Sequence, residues 1–89
     1  MSISITEFEN VFKANHKRLC NLAYRIVNDK DSAEDIVLNV FYKLWGQRNE
    51  IQIETSIVGY LHKATTNTSL NFIETNNRFR KFHQNKTNY

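Results

Sequence analysis

The sequence predicts an all-α fold, a small three-helix domain with an ordered loop between its second and third helices. The 89-residue chain contains no proline and only two glycines, whereas β-sandwiches and β-barrels need turn residues at regular spacing. Apolar residues instead recur at intervals of three, four and seven, which is the period of an amphipathic helix. The length fits one domain with a modest core, spanning residues 1–89.

The first helix is expected over about residues 6–28. Thr6 and Glu9 have the spacing of a capping box, in which each side chain accepts a hydrogen bond from the backbone amide of the other residue. A single apolar stripe follows, made of Phe8, Val11, Phe12, Leu19, Leu22, Ala23 and Ile26. The Asn and Asp residues of the stretch 28–31 favour turns and caps, so the helix is expected to end there.

The second helix is expected over about residues 33–47, with Ser32 as its N-cap and Gly46 near its end. At about 100° per residue, its core face consists of Ile36, Val37, Val40, Phe41 and Leu44. The opposite side carries Asp35, Leu38, Asn39 and Tyr42, with Trp45 at the border. A leucine and a tyrosine directed away from the core suggest a partner, although isolated exposed apolar residues are also common.

The third helix is expected over about residues 56–76, with Ser56 as its cap, after a polar connection over 47–55 that is long enough to be an ordered loop. Its apolar residues are Ile57, Tyr60, Leu61, Ala64, Leu70, Phe72 and Ile73. Many Thr and Asn residues separate them, and these are indifferent helix formers. Such residues are retained either for contact with a partner or because tertiary packing stabilises the helix.

The positive charge of the chain is concentrated near its C-terminus. The net charge is +3, and residues 51–89 contain five Lys or Arg against two acids. The tail over 77–89 is basic and is expected to be frayed. Such an end suggests contact with phosphates or with an acidic partner, and the alternative is a solvated tail.

No pattern of catalytic, metal-binding or cofactor-binding residues is evident. His16, His62 and His83 are far apart and lack metal-site spacing. Two isolated glycines cannot form a phosphate-binding loop. Glu34 and Asp35 diverge by about 100° on a helix, so they do not form a catalytic carboxylate pair. The sequence therefore favours a binding protein over an enzyme, with no metal and no cofactor.

The sequence also favours a cytoplasmic protein without a membrane partner. Its start lacks the basic and apolar regions of a secretory signal, and no apolar run approaches the ~20 residues needed to span a bilayer. Cys20 is the only cysteine, so it forms no internal disulfide, which suits a reducing compartment. It is expected to be a small buried apolar side chain.

Three stretches resemble region two of bacterial extracytoplasmic-function (ECF) sigma factors, of the kind found in Bacteroidetes. They are "FENVFKANHKRLCNLAYRIVND", "DSAEDIVLNVFYKLW" and "YLHKATTNTSLNFI", and together they cover about residues 8–73. The resemblance implies a helical domain that joins the core RNA polymerase and recognises the −10 element of the promoter. It also implies regulation by an anti-sigma factor.

The resemblance implies roles for residues of the second and third helices. In the family the second helix docks on the clamp helices of the polymerase β′ subunit, which would use Asp35, Leu38, Asn39 and Tyr42. The third helix and the loop over 47–55 hold the single-stranded non-template strand of the −10 region with one base flipped out. The candidate DNA-binding residues are Tyr60, Lys63, Asn67, Arg78, Arg80 and Lys81. The first three are spaced about one turn apart and are candidates for one exposed ridge of the third helix. For Tyr60 the alternative is core packing, and for Asn67 it is a local backbone contact.

The chain departs from the family pattern at three points. Leu38 and Asn39 stand where much of the family has Gln and Glu, and Glu74 stands where a base is common. Region four, which reads the −35 element in the family, is expected to be absent, so the chain alone is expected not to initiate normally. Two other functions remain open: a protein-interaction module without DNA binding, and a basic helical protein that binds duplex DNA.

Overall fold

The computed structural model contains three α-helices in the part of the chain that it describes, residues 3–50 and 56–87. Helix α1 spans Ile5–Val27, α2 spans Lys30–Gly46 and α3 spans Ile57–Thr87. Side chains are described as far as residue 77. Over these residues the chain forms helices and turns and no strand, so the predicted all-α fold is confirmed.

Helix α1 begins at a different cap from the predicted one. The hydroxyl of Ser4 accepts a hydrogen bond from the amide of Glu7 at 3.1 Å, and the Glu7 carboxylate accepts one from the amide of Ser4 at 3.3 Å. The Thr6 and Glu9 assignment was wrong because the same spacing occurs twice in "SITEFE". The earlier box prevails because it places Ile3, which is 4 % exposed, in the position that anchors a helix start to the core.

The corner between α1 and α2 consists of two residues with complementary backbone conformations. Asn28 is left-handed at φ 58° and donates its amide to the carbonyl of Tyr24, which ends α1. Asp29 is extended and caps α2, because its carboxylate accepts a hydrogen bond from the amide of Ser32 at 2.8 Å. Ser32 is therefore not the cap, and α2 starts at Lys30, before the predicted residue 33.

The Asp29 cap makes stability depend on pH. Hydrogen bonds from Ser32 lower the pKa of the Asp29 carboxyl, so the charged form is favoured in the folded state. A lowered pKa contributes stability above the ordinary carboxyl range of about 4 and loses it as the pH falls through the folded value. We expect Asp29→Asn, which keeps an oxygen acceptor but does not titrate, to show a smaller fall in Tm between pH 7 and pH 3 than the unaltered chain. Equal falls in the two proteins would show that the cap does not contribute.

The hydrophobic core lies between the three helices, and α2 supplies most of it. All five residues of its predicted core face are buried: Ile36, Val37, Val40, Phe41 and Leu44. Helix α1 contributes Leu19, Ala23 and Val27, with the rest of its predicted apolar stripe half-buried against the same cluster. The ring of Phe41 lies 4.8 Å from that of Phe12, in an edge-on arrangement that aromatic pairs favour.

Helix α3 packs through small polar residues as well as apolar ones. Leu61, Thr65 and Ser69 are each 0 % exposed, and the hydroxyls of Thr65 and Ser69 have no hydrogen-bond partner among the described residues. Leu70 is 53 % exposed instead. Because the buried stripe of α3 is partly Thr and Ser, its core face was not evident from the apolar pattern alone.

Helix α3 starts at the predicted cap but ends later than predicted. Ser56 does cap the helix, since its hydroxyl accepts a hydrogen bond from the amide of Gly59 at 3.0 Å. The predicted end at residue 76 is wrong, because the helix continues to Thr87 through the tail that was expected to be frayed. Nothing in the stretch 77–87 stops a helix, since it contains neither proline nor glycine, and its Arg and Lys residues are good helix formers.

Candidate functional site

The exposed side of α2 is the first candidate site. We call Asp35, Leu38, Asn39 and Tyr42 the α2 outer face. All four are exposed, with 77 % of the Tyr42 surface and 51 % of the Leu38 surface accessible. These four side chains are exposed because the opposite side of the same helix is buried in the core. The predicted division of α2 into a buried side and an exposed side is confirmed.

Trp45, which was predicted at the border of that face, packs against other residues of the domain. Its ring centroid lies 4.9 Å from that of Phe8, and the guanidinium of Arg48 lies 4.0 Å from the Trp45 ring centroid, within range of a cation–π contact. Arg48 also donates a hydrogen bond to the Trp45 carbonyl at 2.9 Å. Trp45 is therefore half-buried and tied to the end of α2, apart from the α2 outer face.

Two residues that sequence reasoning missed hold the start of the connection after α2. The amide of Ile3 donates to the carbonyl of Arg48 at 3.2 Å, and the side chain of Ile3 is buried in the core. Residues 47–50 form turns, and the remainder of the predicted base pocket, 51–55, lies outside the described residues. The earlier capping box at Ser4 was the available signal, because it places Ile3 one residue before the cap.

The predicted DNA-contact residues of α3 are only partly brought together. Lys63 and Asn67 are exposed and one turn apart, whereas Tyr60 is half-buried and packs against the core, so it is not a fully exposed member of the ridge. At about 100° per residue, positions 78 and 81 fall on the side of α3 that carries Lys63 and Asn67. Position 80 falls on a different side. The side chains of Arg78, Arg80 and Lys81 lie outside the described residues.

A groove runs between α2 and α3 and joins these two regions. It has a volume of about 480 Å³ and is lined by Ser32, Asp35, Ile36, Asn39, Thr68, Asn71, Phe72, Thr75 and Asn76. We call it the α2–α3 groove. Asp35 and Asn39 belong both to this groove and to the α2 outer face. No single helix carries the groove, so the sequence pattern did not reveal it.

A second groove, of about 590 Å³, lies between α1 and the start of α2 beside Cys20. Cys20 is half-buried, so the expectation of a buried side chain was wrong. Its Sγ lies 3.7 Å from Nε2 of His16. Burial, and secondarily the negative charge of Glu34, raise the pKa of the Cys20 thiol, so the thiol stays protonated at neutral pH and is a poor nucleophile.

No metal-binding cluster of His, Cys, Asp and Glu exists within the described ranges.

Comparison with known families favours one of the functions left open. A profile of the sigma-70 region 2 family matches residues 11–79, well over half of the chain. The chain belongs to the sigma-70 region 2 family. No curated protein and no solved structure matches it. All of α2 and most of α1 and α3 lie inside the matched range, and so do the residues of the α2 outer face and of the α2–α3 groove.

Membership of this family fixes the general function. A sigma-70 region 2 domain binds the core RNA polymerase and recognises the −10 element of the promoter, and the family is one of transcription factors rather than of catalysts. Among the described residues, no helix is long and apolar enough to cross a membrane. The region 2 domain therefore has two surfaces to assign, one for the polymerase and one for DNA.

Proposed function

We propose that this chain is an ECF-type region 2 domain of the kind found in Bacteroidetes, which acts in the cytoplasm and docks on the β′ clamp helices through the α2 outer face. The observation that carries the proposal is the exposure of Tyr42 and Leu38, at 77 % and 51 %, on a helix whose other side is buried. Asp35 and Asn39 accompany them. The same face is the expected target of an anti-sigma factor, because a regulator that covers it blocks the polymerase.

The chemistry of the α2 outer face suits a helical protein partner. Leu38 and Tyr42 supply apolar area of the kind that becomes the core of an interface, and Tyr is enriched at such positions. Asp35 supplies a carboxylate for a basic residue of the partner. Helix-in-groove docking uses anchors at spacings of three, four and seven, and the spacings between Asp35, Leu38 and Tyr42 are three, four and seven.

For DNA, we propose that α3 holds the non-template strand of the −10 element and that the connection over 47–55 receives the flipped base. The exposed ammonium of Lys63 is suited to phosphates, and the exposed amide of Asn67 carries the donor and acceptor needed to read a base edge. Tyr60 retains a partly accessible ring for stacking. The basic residues Arg78 and Lys81 extend the same side of the helix along a strand.

The departures from the family pattern bear on partner choice and on affinity. Leu38 and Asn39 replace a polar and acidic pair, so docking here relies more on apolar area and less on charge. Glu74 is exposed on α3 and takes part in an interaction within the chain. Its negative charge opposes phosphate binding between Asn67 and the basic positions.

A charge reversal on α2 tests the proposed docking face. We expect the unaltered domain to bind core RNA polymerase in a direct titration, and Asp35→Lys to weaken that binding by roughly tenfold or more, since like charges across an interface repel. The matched control is Glu9→Lys, the same net charge change at an exposed position on α1, which is expected to bind as the unaltered domain does. Equal affinities for both variants would remove the α2 outer face from the interface.

The remaining alternative is a protein-interaction module that does not bind DNA. The half-burial of Tyr60 and the negative charge of Glu74 favour this alternative. The same preparations should therefore be titrated with single-stranded −10 DNA and with its duplex. Preference for the single strand, reduced by salt, supports promoter recognition. Retained polymerase binding with no DNA binding supports the interaction module, and a preference for the duplex contradicts both.

A further inference from the structure

The α2–α3 groove has an apolar floor and polar walls. Ile36 is 6 % exposed and Phe72 is half-buried, so both form part of the packed boundary between the helices. Hydroxyl and amide groups rise on either side, from Ser32 and Asn39 on α2 and from a larger set on α3: Thr68, Asn71, Thr75 and Asn76. The groove is thus a site that combines polar acceptors with hydrocarbon surface.

The negative charge of Asp35 determines which ligands the groove favours. Among the described residues that line the groove, Asp35 is the only ionisable one, and none of them supplies a compensating cation. The site therefore attracts a cation and repels an anion. Arginine meets the other requirements, because its guanidinium offers five donors in a planar fork and its stem packs on apolar surface. The fork matches a carboxylate with neighbouring amide oxygens.

We propose that the α2–α3 groove receives one arginine side chain of the protein that docks on the α2 outer face, so that Asn71 and Thr75 of α3 are contacts for that partner. The inference rests on the proposed docking function. It follows from continuity, since Asp35 and Asn39 line the groove and also form part of the α2 outer face. A partner helix lying on Leu38 and Tyr42 therefore passes the mouth of the groove.

The proposal extends the polymerase interface from one helix to two. Docking on α2 alone depends on a single helix face, whereas an arginine held between α2 and α3 fixes the partner relative to both helices. A bidentate contact constrains angle as well as distance. Asn71 and Thr75 are thereby assigned to partner recognition, although they lie on the helix that also carries the DNA-contact candidates.

The other possible occupant is a base of single-stranded DNA. Amides and hydroxyls suit a base edge and Phe72 is aromatic, but a base arrives attached to phosphates. The carboxylate of Asp35 disfavours those phosphates, and no basic residue among the described lining residues offsets it. The charge of the groove therefore favours the arginine, and DNA binding becomes an outcome of the test.

The test compares two asparagines on the same helix. Asn71 and Asn77 are both exposed on α3, but only Asn71 lines the groove. We expect Asn71→Ala to weaken binding to core RNA polymerase by roughly threefold to tenfold, as loss of one interface hydrogen bond does, and Asn77→Ala to leave it unchanged. Thr75→Arg, which places a tethered guanidinium beside Asp35, is expected to weaken binding further than Asn77→Arg.

The outcomes separate this inference from the docking proposal. If Asn71→Ala and Thr75→Arg bind the polymerase normally while Asp35→Lys is impaired, the groove is not a partner contact and the docking proposal stands. If Asn71→Ala weakens binding of single-stranded −10 DNA and not of the polymerase, the groove takes DNA and the inference is overturned. If the unaltered domain does not bind the polymerase, the docking proposal and this inference both fail.

Discussion

Replacing Leu61 by alanine is expected to lower the free energy of unfolding by about 2–5 kcal/mol, as large-to-small core substitutions do. Leu61 is 0 % exposed and belongs to the same core cluster as residues of α1 and α2. The total stability of a small domain is about 5–15 kcal/mol, so this single change removes a large share of it. Urea denaturation followed by circular dichroism measures the loss directly, because nearly all described residues are helical.

The reason for so large an effect is the composition of α3. Along its buried stripe, Leu61 is followed by Thr65 and Ser69, which are small and whose hydroxyls lack partners among the described residues. Burying such hydroxyls without a partner opposes folding. Among the described side chains of this helix, Leu61 is thus the large apolar one that is fully buried, and its loss is not compensated by neighbouring side chains of the same stripe.

Leu70→Ala provides the matched control. It is the same substitution on the same helix, but Leu70 is 53 % exposed, and exposed substitutions usually change stability by less than about 0.5 kcal/mol. We expect the two variants to differ by several-fold in their effect. Equal destabilisation by both would mean that α3 packs through its Leu70 side, which contradicts the burial pattern described above.

The sequence was sufficient to predict α2 because that helix has a wide apolar face. Its five core residues and its four exposed ones separate cleanly at the helical period, so both sides were predicted correctly. The caps were less well determined. "SITEFE" contains two overlapping capping boxes, and both Asp29 and Ser32 are good N-caps, so choosing between them required the packing of Ile3 and the conformation of Asn28.

The core face of α3 and the α2–α3 groove could not be predicted from hydrophobic periodicity. The core face of α3 includes Thr65 and Ser69, which a hydrophobic pattern omits, and it excludes Leu70, which such a pattern includes. The groove depends on how two helices lie against each other, so residues as distant in sequence as Asp35 and Asn71 line one site. Tyr60 was predicted to be on an exposed ridge because its spacing from Lys63 is correct, but the packing of the first turn half-buries it.

The second large expected effect is on binding. The double variant Leu38→Ala/Tyr42→Ala removes both large apolar side chains from the α2 outer face, and we expect it to weaken binding to core RNA polymerase by roughly 30-fold or more, equivalent to about 2 kcal/mol. Its free energy of unfolding is expected to change by less than about 1 kcal/mol, because both side chains are exposed in the isolated domain. Titration and urea denaturation on the same preparation measure the two quantities.

Tyr24→Ala separates a specific contact from a general loss of exposed aromatic surface. Tyr24 is 48 % exposed on α1 and lines the groove beside Cys20, so it is not part of the α2 outer face and its removal is expected to leave polymerase binding unchanged. If Tyr24→Ala weakens binding as strongly as the double variant, docking extends over α1 and the assignment of the interface to α2 is wrong. If only the double variant loses affinity while its stability is retained, Leu38 and Tyr42 are exposed in the isolated domain because their apolar contacts are made with the polymerase.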